Sequence, residues 1–411
     1  MTRFQDRKSR EKIVVVGAGM AATRVVEELT AAVPARYDIL VIGEEPRLAY
    51  NRVLLSSALA GDVSLDDIAL KTADWWRADG VALLSGRKAS RIDAAARRLI
   101  LDNGVAVDYS KLVLATGSRA IRLPIEGADL PGVHTFRDVP DVVALAGLGD
   151  ARKRVVVIGG GLLGLEAAYG LARRGAEVTL AHVLDRLMER QLDADGADIL
   201  RRLVEEKGVR VRLNANTTRI RGRDRVEGID FADGETIMTD AVVFAVGVRP
   251  DADLARGAGV DVGRGVLVDD DLMSSDPHIF AIGECAEHRG VCYGLVEPAY
   301  EHARVLALRM AGCDSSYRGS VLSTNLKVSG VRVFSAGDFL GGTGAKRIIC
   351  KDPRMGLYRK LVIENDRLKG AILIGDATGA LDILGLIRSG DAIGPLRDPL
   401  MFGAPAMRKA A

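Results

Sequence analysis

The chain has 411 residues, of which 48% are hydrophobic and 27% are charged, an ordinary globular composition. This length predicts two or three domains. The formal net charge of +2 gives no indication of a nucleic-acid partner. No apolar run reaches the ~18 residues of a membrane helix, and the polar N-terminus does not resemble a signal peptide. We therefore expect a cytoplasmic protein without membrane partners.

The first predicted structural unit is a strand, a glycine turn, a helix and a second strand. An apolar run at residues 13–16 precedes the sequence GAGMAA, which begins at Gly17, and a helix is predicted over 22–29. A second strand is predicted over 37–44. In such a turn the first glycine permits the tight bend and the second lets the backbone approach a pyrophosphate. The pattern therefore predicts a dinucleotide site at the helix N-terminus.

A second copy of this unit follows later in the chain. The apolar run 155–158 precedes GGGLLG, which begins at Gly159, and leads into a predicted helix over 165–173 and a strand over 176–182. One such pattern could be an ordinary tight turn, but two copies in matching βαβ context favour two dinucleotide sites. The similar strand ends at 112–117 and 242–247 also indicate a duplication.

Acidic residues at strand ends indicate how ribose and ribitol hydroxyls would be bound. Glu44 ends the second strand of the first copy, where an acid binds ribose hydroxyls. His182 holds the equivalent place in the second copy. Histidine indicates no clear preference between NAD and NADP, and nearby Arg186 could attract a 2′-phosphate, so the choice between the two nucleotides stays open. Glu284 follows an apolar strand and glycine, where a carboxylate can accept hydrogen bonds from ribitol or form a solvated turn.

The C-terminal region and the cysteines complete the prediction from the residues alone. Strands over 326–333, 358–363 and 370–374 and a helix over 378–389 predict a small α+β domain after residue 313. The four cysteines form no CxxC pair, so no metal centre is predicted and we expect buried small hydrophobic side chains.

The order of these motifs, from GxGxxA through the ATG strand end, GxGxxG and Gly-Val-Arg-Pro to FAIGE, resembles the two-dinucleotide-binding-domain flavoproteins. That family includes ferredoxin, rubredoxin and disulfide reductases and NADH oxidases. The resemblance implies an α/β fold like that of glutathione reductase, with two Rossmann-like FAD and NAD(P) domains and a small C-terminal α+β domain. The implied boundaries are 1–118 and 245–312 for a discontinuous FAD domain, 119–244 for the NAD(P) domain and 313–411 for the last domain.

Closer similarity points to one branch of the family. Residues 50–57, 187–193, 283–290, 293–298 and 322–327 resemble the large subunit of assimilatory NAD(P)H nitrite reductase. The resemblance implies a free-standing oxidoreductase that passes electrons from NAD(P)H through FAD to a nitrate or nitrite reductase partner. Alternatives are a rubredoxin or ferredoxin reductase or an NADH oxidase outside nitrogen metabolism, and a low-turnover flavin scaffold or redox sensor. The oligomeric state, including a possible homodimer, and the role of the last domain stay open.

The resemblance also implies site residues where the motifs match. Glu166 matches a glutamate near the nicotinamide and is the predicted catalytic residue. Positions matching FAD contacts are Gly17, Gly19, Glu44, Arg52, Ala89, Thr116, Gly117, Gly283, Glu284 and Val296. Positions matching NAD(P) contacts are Gly159, Gly161 and Gly164. Further predicted cofactor-binding positions are Met20, Ala21, Ala115, Arg119, Leu162, Leu163, His182 and Gly247.

One departure from the family bears on mechanism. Ferredoxin reductases carry a lysine that pairs with the Glu166 equivalent, and thiol-dependent relatives carry a reactive cysteine, at the place taken here by Ser57. Serine cannot cycle through a sulfenic acid or disulfide, so a thiol mechanism at this position is not expected. We expect hydride transfer from nicotinamide to flavin, followed by single-electron release to a partner protein.

Overall fold

The computed structural model describes residues 10–34, 36–78, 80–328, 330–396 and 400. Within these residues we find no helix long and apolar enough to cross a bilayer. The helices are α1 (Met20–Ala32), α2 (Leu55–Ala60), α3 (Val139–Asp150), α4 (Leu162–Arg173), α5 (Ala194–Glu205), α6 (Asp253–Gly257), α7 (Val296–Met310) and α8 (Ala380–Ser389).

The strands of the first part of the chain are β1 (Glu11–Val16), β2 (Tyr37–Gly43), β3 (Val81–Ser85), β4 (Ala89–Asp93), β5 (Arg98–Leu101), β6 (Ala106–Asp108), β7 (Lys111–Leu114), β8 (Ser118–Ala120), β9 (Val133–Thr135), β10 (Arg154–Ile158), β11 (Glu177–Ala181) and β12 (Val209–Arg212). The later strands are β13 (Thr217–Arg221), β14 (Gly228–Phe231), β15 (Thr236–Met238), β16 (Ala241–Phe244), β17 (Val248–Pro250), β18 (Val266–Val268), β19 (Ile279–Ala281), β20 (Ala286–His288), β21 (Ser323–Val328), β22 (Val331–Gly337), β23 (Lys346–Asp352), β24 (Leu357–Glu364) and β25 (Arg367–Ile374).

The chain divides into two compact units. The first comprises the described parts of Met1–Leu55, Ser64–Arg119 and Val248–Ser320. Its main sheet has the order β19-β7-β1-β2-β3, and every neighbouring pair is parallel. The last four residues of the central strand β1 are buried because helices cover parallel sheets on both faces, which explains the continuous apolar run there. A three-stranded antiparallel sheet, β4-β5-β6, completes this unit together with smaller elements.

The second unit comprises the described parts of Ser56–Val63, Ala120–Gly247 and Val321–Ala411. It repeats the parallel arrangement in a sheet of order β12-β11-β10-β16-β9. The order β2-β1-β7 in the first unit corresponds to β11-β10-β16 here. The predicted α/β class with two related dinucleotide folds is therefore confirmed, because each predicted βαβ unit forms with its strands in parallel register.

The last part of the second unit is an antiparallel sheet with the order β21-β22-β25-β24-β23, with α8 packed on β25. The small α+β domain is confirmed, but the single strand predicted over 326–333 is wrong. Val328 pairs with Val331, so the segment is a hairpin in which Gly330 adopts a φ of +76°. Apolar and β-branched residues occur on both sides of the turn. Their pattern predicts a single strand because it contains no signal for the reversal of chain direction.

Candidate functional site

The first glycine turn lies between β1 and α1 in the first unit. Gly17 has a φ of +104°, and a Cβ added to it would collide with the carbonyl oxygen of Ala115. A Cβ added to Gly19 would meet no described atom within 4 Å. Gly19 is the N-cap of α1, and among the described residues no side chain caps it. Only Gly17 is therefore required by packing, and the space and N–H groups at Gly19, Met20 and Ala21 fit a pyrophosphate.

The second glycine turn reproduces this geometry in the second unit. Gly159 has a φ of +121°, and an added Cβ would collide with the carbonyl oxygen of Ala245. Gly161 is the N-cap of α4, no described side chain caps it, and an added Cβ would find no described neighbour within 4 Å. A Cβ on Gly164 would collide with the Gly159 backbone, so helix and strand pack closely there. The open N-terminus of α4, with Leu162 and Leu163 in its first turn, fits a second pyrophosphate.

Hydrogen bonds between the strands place both turns equivalently. The N–H of Gly17 donates to the carbonyl of Ile42, and the N–H of Gly159 donates to the carbonyl of Ala181, each at 2.8 Å. Ala115 lies beside the first turn, and its N–H donates to the carbonyl of Val16 at 2.8 Å. The two cradles are thus the same local structure built twice.

The predicted ribose and adenine positions of the first unit lie on β2 and its neighbours. Glu44 directly follows β2, is exposed, and pairs with Lys88 at 2.9 Å. Arg52 pairs with Glu45 at 2.6 Å, and its guanidinium lies over the Tyr50 ring. Ala89 begins β4, where it pairs with Leu101.

Residues 115–117, which follow β7, are held by Asp251, a residue that was not predicted from the sequence. The hydroxyl of Thr116 donates to the backbone carbonyl of Asp251 at 2.6 Å, and Nε of Arg119 donates to the Asp251 carboxylate at 2.9 Å. The N–H of Asp251 donates to the carbonyl of Gly117, which has a φ of +72°. Asp251 follows the Gly-Val-Arg-Pro motif directly, so that motif was the signal that could have identified it.

Gly283 and Glu284 lie in a short 3₁₀ helix after β19. A Cβ added to Gly283, whose φ is +74°, would lie 3.0 Å from the Ala21 side chain and 3.7 Å from that of Ala299. Gly283 is therefore where the starts of α1 and α7 meet, and α7 begins at Val296. The Glu284 carboxylate accepts a hydrogen bond from the hydroxyl of Ser118 at 2.8 Å, a second partner that the sequence analysis missed.

A buried histidine on α7 supports this corner. The N–H of Gly283 donates to Nδ1 of His302 at 3.1 Å. Burial lowers the pKa of His302 to about 3, with a smaller contribution from His288, so the ring is neutral and can accept this bond. Nothing in the local sequence pattern distinguishes His302 from an ordinary helical residue.

The predicted catalytic residue Glu166 lies on α4, shortly after the second glycine turn. Burial raises the pKa of its carboxyl group from 4.5 to about 7, and a hydrogen bond from the hydroxyl of Ser56 opposes that shift. The resemblance predicts that Ser57 takes the place of the lysine found in ferredoxin reductases. In the structure, however, the hydroxyl that donates a hydrogen bond to Glu166 is that of the neighbouring residue, Ser56. A neutral hydroxyl therefore partners this carboxyl group.

Two other predicted positions lie beside the second cradle. His182 follows β11 directly and is buried, and its Nδ1 accepts a hydrogen bond from the N–H of Gly160 at 3.0 Å. Gly247 follows β16 with a φ of +113°, as Gly117 follows β7, and its carbonyl accepts from the N–H of Ile121. In the described part of the chain, no group of three or more His, Cys, Asp or Glu side chains is arranged to hold a metal ion.

The two glycine turns, each leading into a helix with an uncapped N-terminus, agree with the protein family that the sequence matches. The profile described as pyridine nucleotide-disulphide oxidoreductase matches residues 11–305. The chain belongs to this family. FAD and NAD(P)H are the cofactors of the family, and they are therefore the cofactors of this oxidoreductase. A second profile, described as the rubredoxin NAD+ reductase C-terminal domain, matches residues 323–391.

Two relatives from Bacillus subtilis are similar over most of the chain. The protein named nitrite reductase [NAD(P)H] is 43% identical over 380 residues, covering 92% of this chain and 47% of the relative. The assimilatory nitrate reductase electron transfer subunit is 40% identical over 369 residues, covering 89% of this chain and 48% of the relative. The chain thus spans about half the length of the curated relatives it matches.

Solved structures of similar proteins cover nearly the whole chain. The ferredoxin reductase for the CYP199A2 system of Rhodopseudomonas palustris has a TM-score of 0.83 at 28% identity, covering 92% of this chain and 93% of that one. NADH:rubredoxin oxidoreductase from Clostridium acetobutylicum has a TM-score of 0.77 at 26% identity, covering 98% of this chain and 100% of that one.

Proposed function

We propose that this flavoprotein passes electrons from NAD(P)H through FAD to a partner protein, a component of a cytoplasmic nitrate or nitrite reductase system. The observation that carries the proposal is the 40% identity to a protein named an assimilatory nitrate reductase electron transfer subunit, over 89% of this chain. The 43% identity to a nitrite reductase supports the same branch. We also propose the domain division 1–118 with 245–312, 119–244 and 313–411.

The residues of the first unit would bind and orient FAD. The first turn of α1 would hold the pyrophosphate at Gly19, and Glu44 would accept hydrogen bonds from the adenosine ribose. Glu284, oriented by Ser118, would accept a hydrogen bond from ribitol. The collision that a side chain on Gly17 would make with the Ala115 carbonyl explains why the turn needs glycine there, while the open space at Gly19 would let the backbone approach the pyrophosphate.

The residues of the second unit would bind the nicotinamide nucleotide. The N-terminus of α4 would hold its pyrophosphate at Gly161, while Glu166 holds or releases a proton near neutral pH. When bound, the nicotinamide supplies a hydride and the flavin accepts it and can release electrons singly. The chain itself contributes binding, orientation and a titratable group, and we assign Glu166 as the catalytic residue on that basis.

The partner is tested with the purified, FAD-loaded protein and NADH or NADPH as electron donor. Candidate acceptors are the catalytic component of a nitrate reductase, the sirohaem component of a nitrite reductase, a rubredoxin and a ferredoxin. Fast reduction of one of the nitrogen-metabolism components is expected. Rapid reduction of rubredoxin, with no reduction of the nitrate reductase or nitrite reductase component, would contradict the nitrogen-metabolism proposal.

A rubredoxin or ferredoxin reductase is the second candidate function. The C-terminal domain matches the profile described as that of rubredoxin NAD+ reductase, and NADH:rubredoxin oxidoreductase aligns with 98% of the chain. The same acceptor assay distinguishes the two candidates. A scaffold or sensor with little turnover is a third, and fast steady-state NADH oxidation with a dye acceptor would exclude it.

A further inference from the structure

The corner after β11 differs from the usual ribose site of a dinucleotide fold. The strand end, where an acid binds the adenosine ribose, carries His182. Its ring is buried, and Nδ1 accepts the N–H of Gly160 within the glycine turn. A Cβ added to Gly160 would lie 2.7 Å from both the His182 ring and the Leu187 side chain. His182 therefore packs beneath the turn as part of its support.

The chain returns to the same corner a few residues later and brings a carboxylate with it. The N–H of Met188 donates to the carbonyl of Gly160 at 3.0 Å, and Leu187 and Met188 are completely buried. These contacts fix the position of the next residue, Glu189. Oε2 of Glu189 lies 3.3 Å from Nε2 of His182.

The second ring nitrogen of His182 faces this carboxylate. Because Nδ1 accepts a hydrogen bond from Gly160, Nε2 is the ring nitrogen that carries a proton, and it faces Glu189 without forming a hydrogen bond among the described residues. The His182 side chain is 8% exposed, whereas that of Glu189 is 25% exposed. Of these two side chains, the Glu189 carboxylate is the more exposed to solvent, and it is the one that a nucleotide bound at this corner would reach.

Two cations near this corner, Arg186 and Arg212, have carboxylate partners. Nη1 of Arg186 lies 3.1 Å from the carboxylate of Asp185. The backbone carbonyl of Arg212 accepts the N–H of His182, and the Arg212 guanidinium pairs with Asp233 at 2.6 Å and also with Glu235. The positive charge of Arg186 and Arg212, which could bind a 2′-phosphate, is therefore balanced nearby, and the partly exposed carboxylate of Glu189 adds negative charge.

We propose that Glu189 takes the ribose-binding role that an acid at position 182 would have, and that it makes the chain select NADH over NADPH. This inference rests on the proposed function, because it concerns the nucleotide held at the second cradle. The carboxylate would accept hydrogen bonds from the adenosine ribose hydroxyls and repel a 2′-phosphate. His182 would act as a positioning residue for Glu189.

The test measures binding, so it does not depend on turnover. The affinity of the purified FAD-containing protein for ADP-ribose and for its 2′-phosphorylated form is compared by calorimetry. Because a carboxylate opposite the 2′-phosphate places two like charges together, ADP-ribose should bind at least about tenfold more tightly than its 2′-phosphorylated form. The isosteric variant E189Q should reduce that ratio by about tenfold, and E189K should favour the phosphorylated ligand. E206Q, a carboxylate change after α5, is the matched control and should leave the ratio unchanged.

Different outcomes separate this inference from the function on which it rests. If both ligands bind wild-type protein equally, or if E189Q leaves the ratio unchanged, the role of Glu189 is overturned and the second cradle stands. If neither ligand binds, the proposed function fails together with the inference. Anaerobic flavin reduction by NADH and NADPH gives a second readout, and the flavin spectrum of each variant verifies that it is folded.

Discussion

The hydroxyl of Ser56 donates a hydrogen bond to the carboxyl group of Glu166, whose pKa is raised by burial to about 7. A hydroxyl can stabilise a carboxylate but cannot neutralise its charge as a lysine would. Glu166 therefore changes its protonation state near neutral pH. This relationship has a direct consequence for the pH dependence of stability.

The first prediction concerns the pH dependence of stability. The folded-state pKa of Glu166 is raised above its ordinary value of 4.5, so the folded protein holds a proton that the unfolded chain releases between about pH 4.5 and 7. Stability is lost as pH rises through this window. E166Q, which cannot ionise, should have a higher Tm than wild type at pH 8 and a similar Tm at pH 4.5. An equal difference at both pH values would contradict the assignment.

Removing the Ser56 hydroxyl should widen the pH range over which stability is lost. S56A removes the bond that favours the charged carboxylate, so the folded-state pKa of Glu166 should rise further and the loss of stability, which still begins near pH 4.5, should extend to higher pH. S57A changes the neighbouring hydroxyl and is the matched control. Tm measured as a function of pH for the three proteins checks this, and equal shifts in both variants would speak against a specific bond.

The second prediction separates the two kinds of glycine in one turn. Ala at Gly159 would need the left-handed backbone, which costs about 1–2 kcal/mol, and would also collide with Ala245, so G159A should lower the free energy of unfolding. Gly161 has a φ of −82°, and an added Cβ meets no described atom within 4 Å. G161A should therefore keep its Tm and lose nucleotide affinity at least about tenfold, or about 1.4 kcal/mol. Calorimetric binding and thermal unfolding test this pair, and full affinity in G161A would show that no pyrophosphate approaches there.

The third prediction concerns a buried ion pair in the second unit. Asp193 accepts hydrogen bonds from Lys360 and from the hydroxyl of Tyr358, each at 2.8 Å, and Lys360 is buried. K360M leaves the Asp193 charge without its cation and should cost about 3 kcal/mol of unfolding free energy. Its control, K351M, breaks the exposed pair of Lys351 with Asp195 and should cost less than about 1 kcal/mol. Denaturant unfolding compares the two, and equal costs would contradict the burial argument.

The same pair sets a second pH dependence. Burial acts to raise the pKa of Asp193, but the hydrogen bonds from Lys360, Gly196 and Tyr358 outweigh it and hold the pKa below its ordinary value. The resulting stability is present above the ordinary pKa of about 3.9 and is lost as pH falls through the folded-state value. Wild type should therefore lose part of its advantage over K360M below about pH 4.

The fourth prediction concerns thiols. Sγ of Cys285 is buried and lies 3.3 Å from the carbonyl oxygens of Leu114 and Ile282, and burial raises its pKa. Cys313 and Cys350 are exposed, so the expectation that the cysteines are buried small hydrophobic side chains is wrong for these two. Alkylation of the native protein should modify the exposed thiols, spare Cys285 and leave flavin reduction by NADH unchanged. Mass spectrometry of the modified peptides checks this, and loss of flavin reduction with modification would revive a thiol mechanism.

The sequence predicts what depends on local patterns and misses what depends on distant pairings. Both glycine turns were predictable because each combines a buried strand, closely spaced glycines and a helix within one short segment. The bonds of Glu166 to Ser56 and of Asp193 to Lys360 join residues far apart in the chain, so no periodicity records them. The strand predicted over 326–333 failed because the turn at Gly330 interrupts two runs of similar composition. The position of Glu189 beside His182 depends on how the chain after β11 packs on Gly160.

The central claim is that one chain binds FAD and a reduced nicotinamide nucleotide and moves electrons between them. Anaerobic titration of the purified protein with NADH, followed at the flavin absorption band, tests this most directly. We predict a yellow protein whose flavin band is bleached by about one equivalent of NADH per flavin, as hydride transfer is a two-electron step. A colourless protein that neither binds added FAD nor shows bleaching of bound FAD by NADH or NADPH would contradict the account.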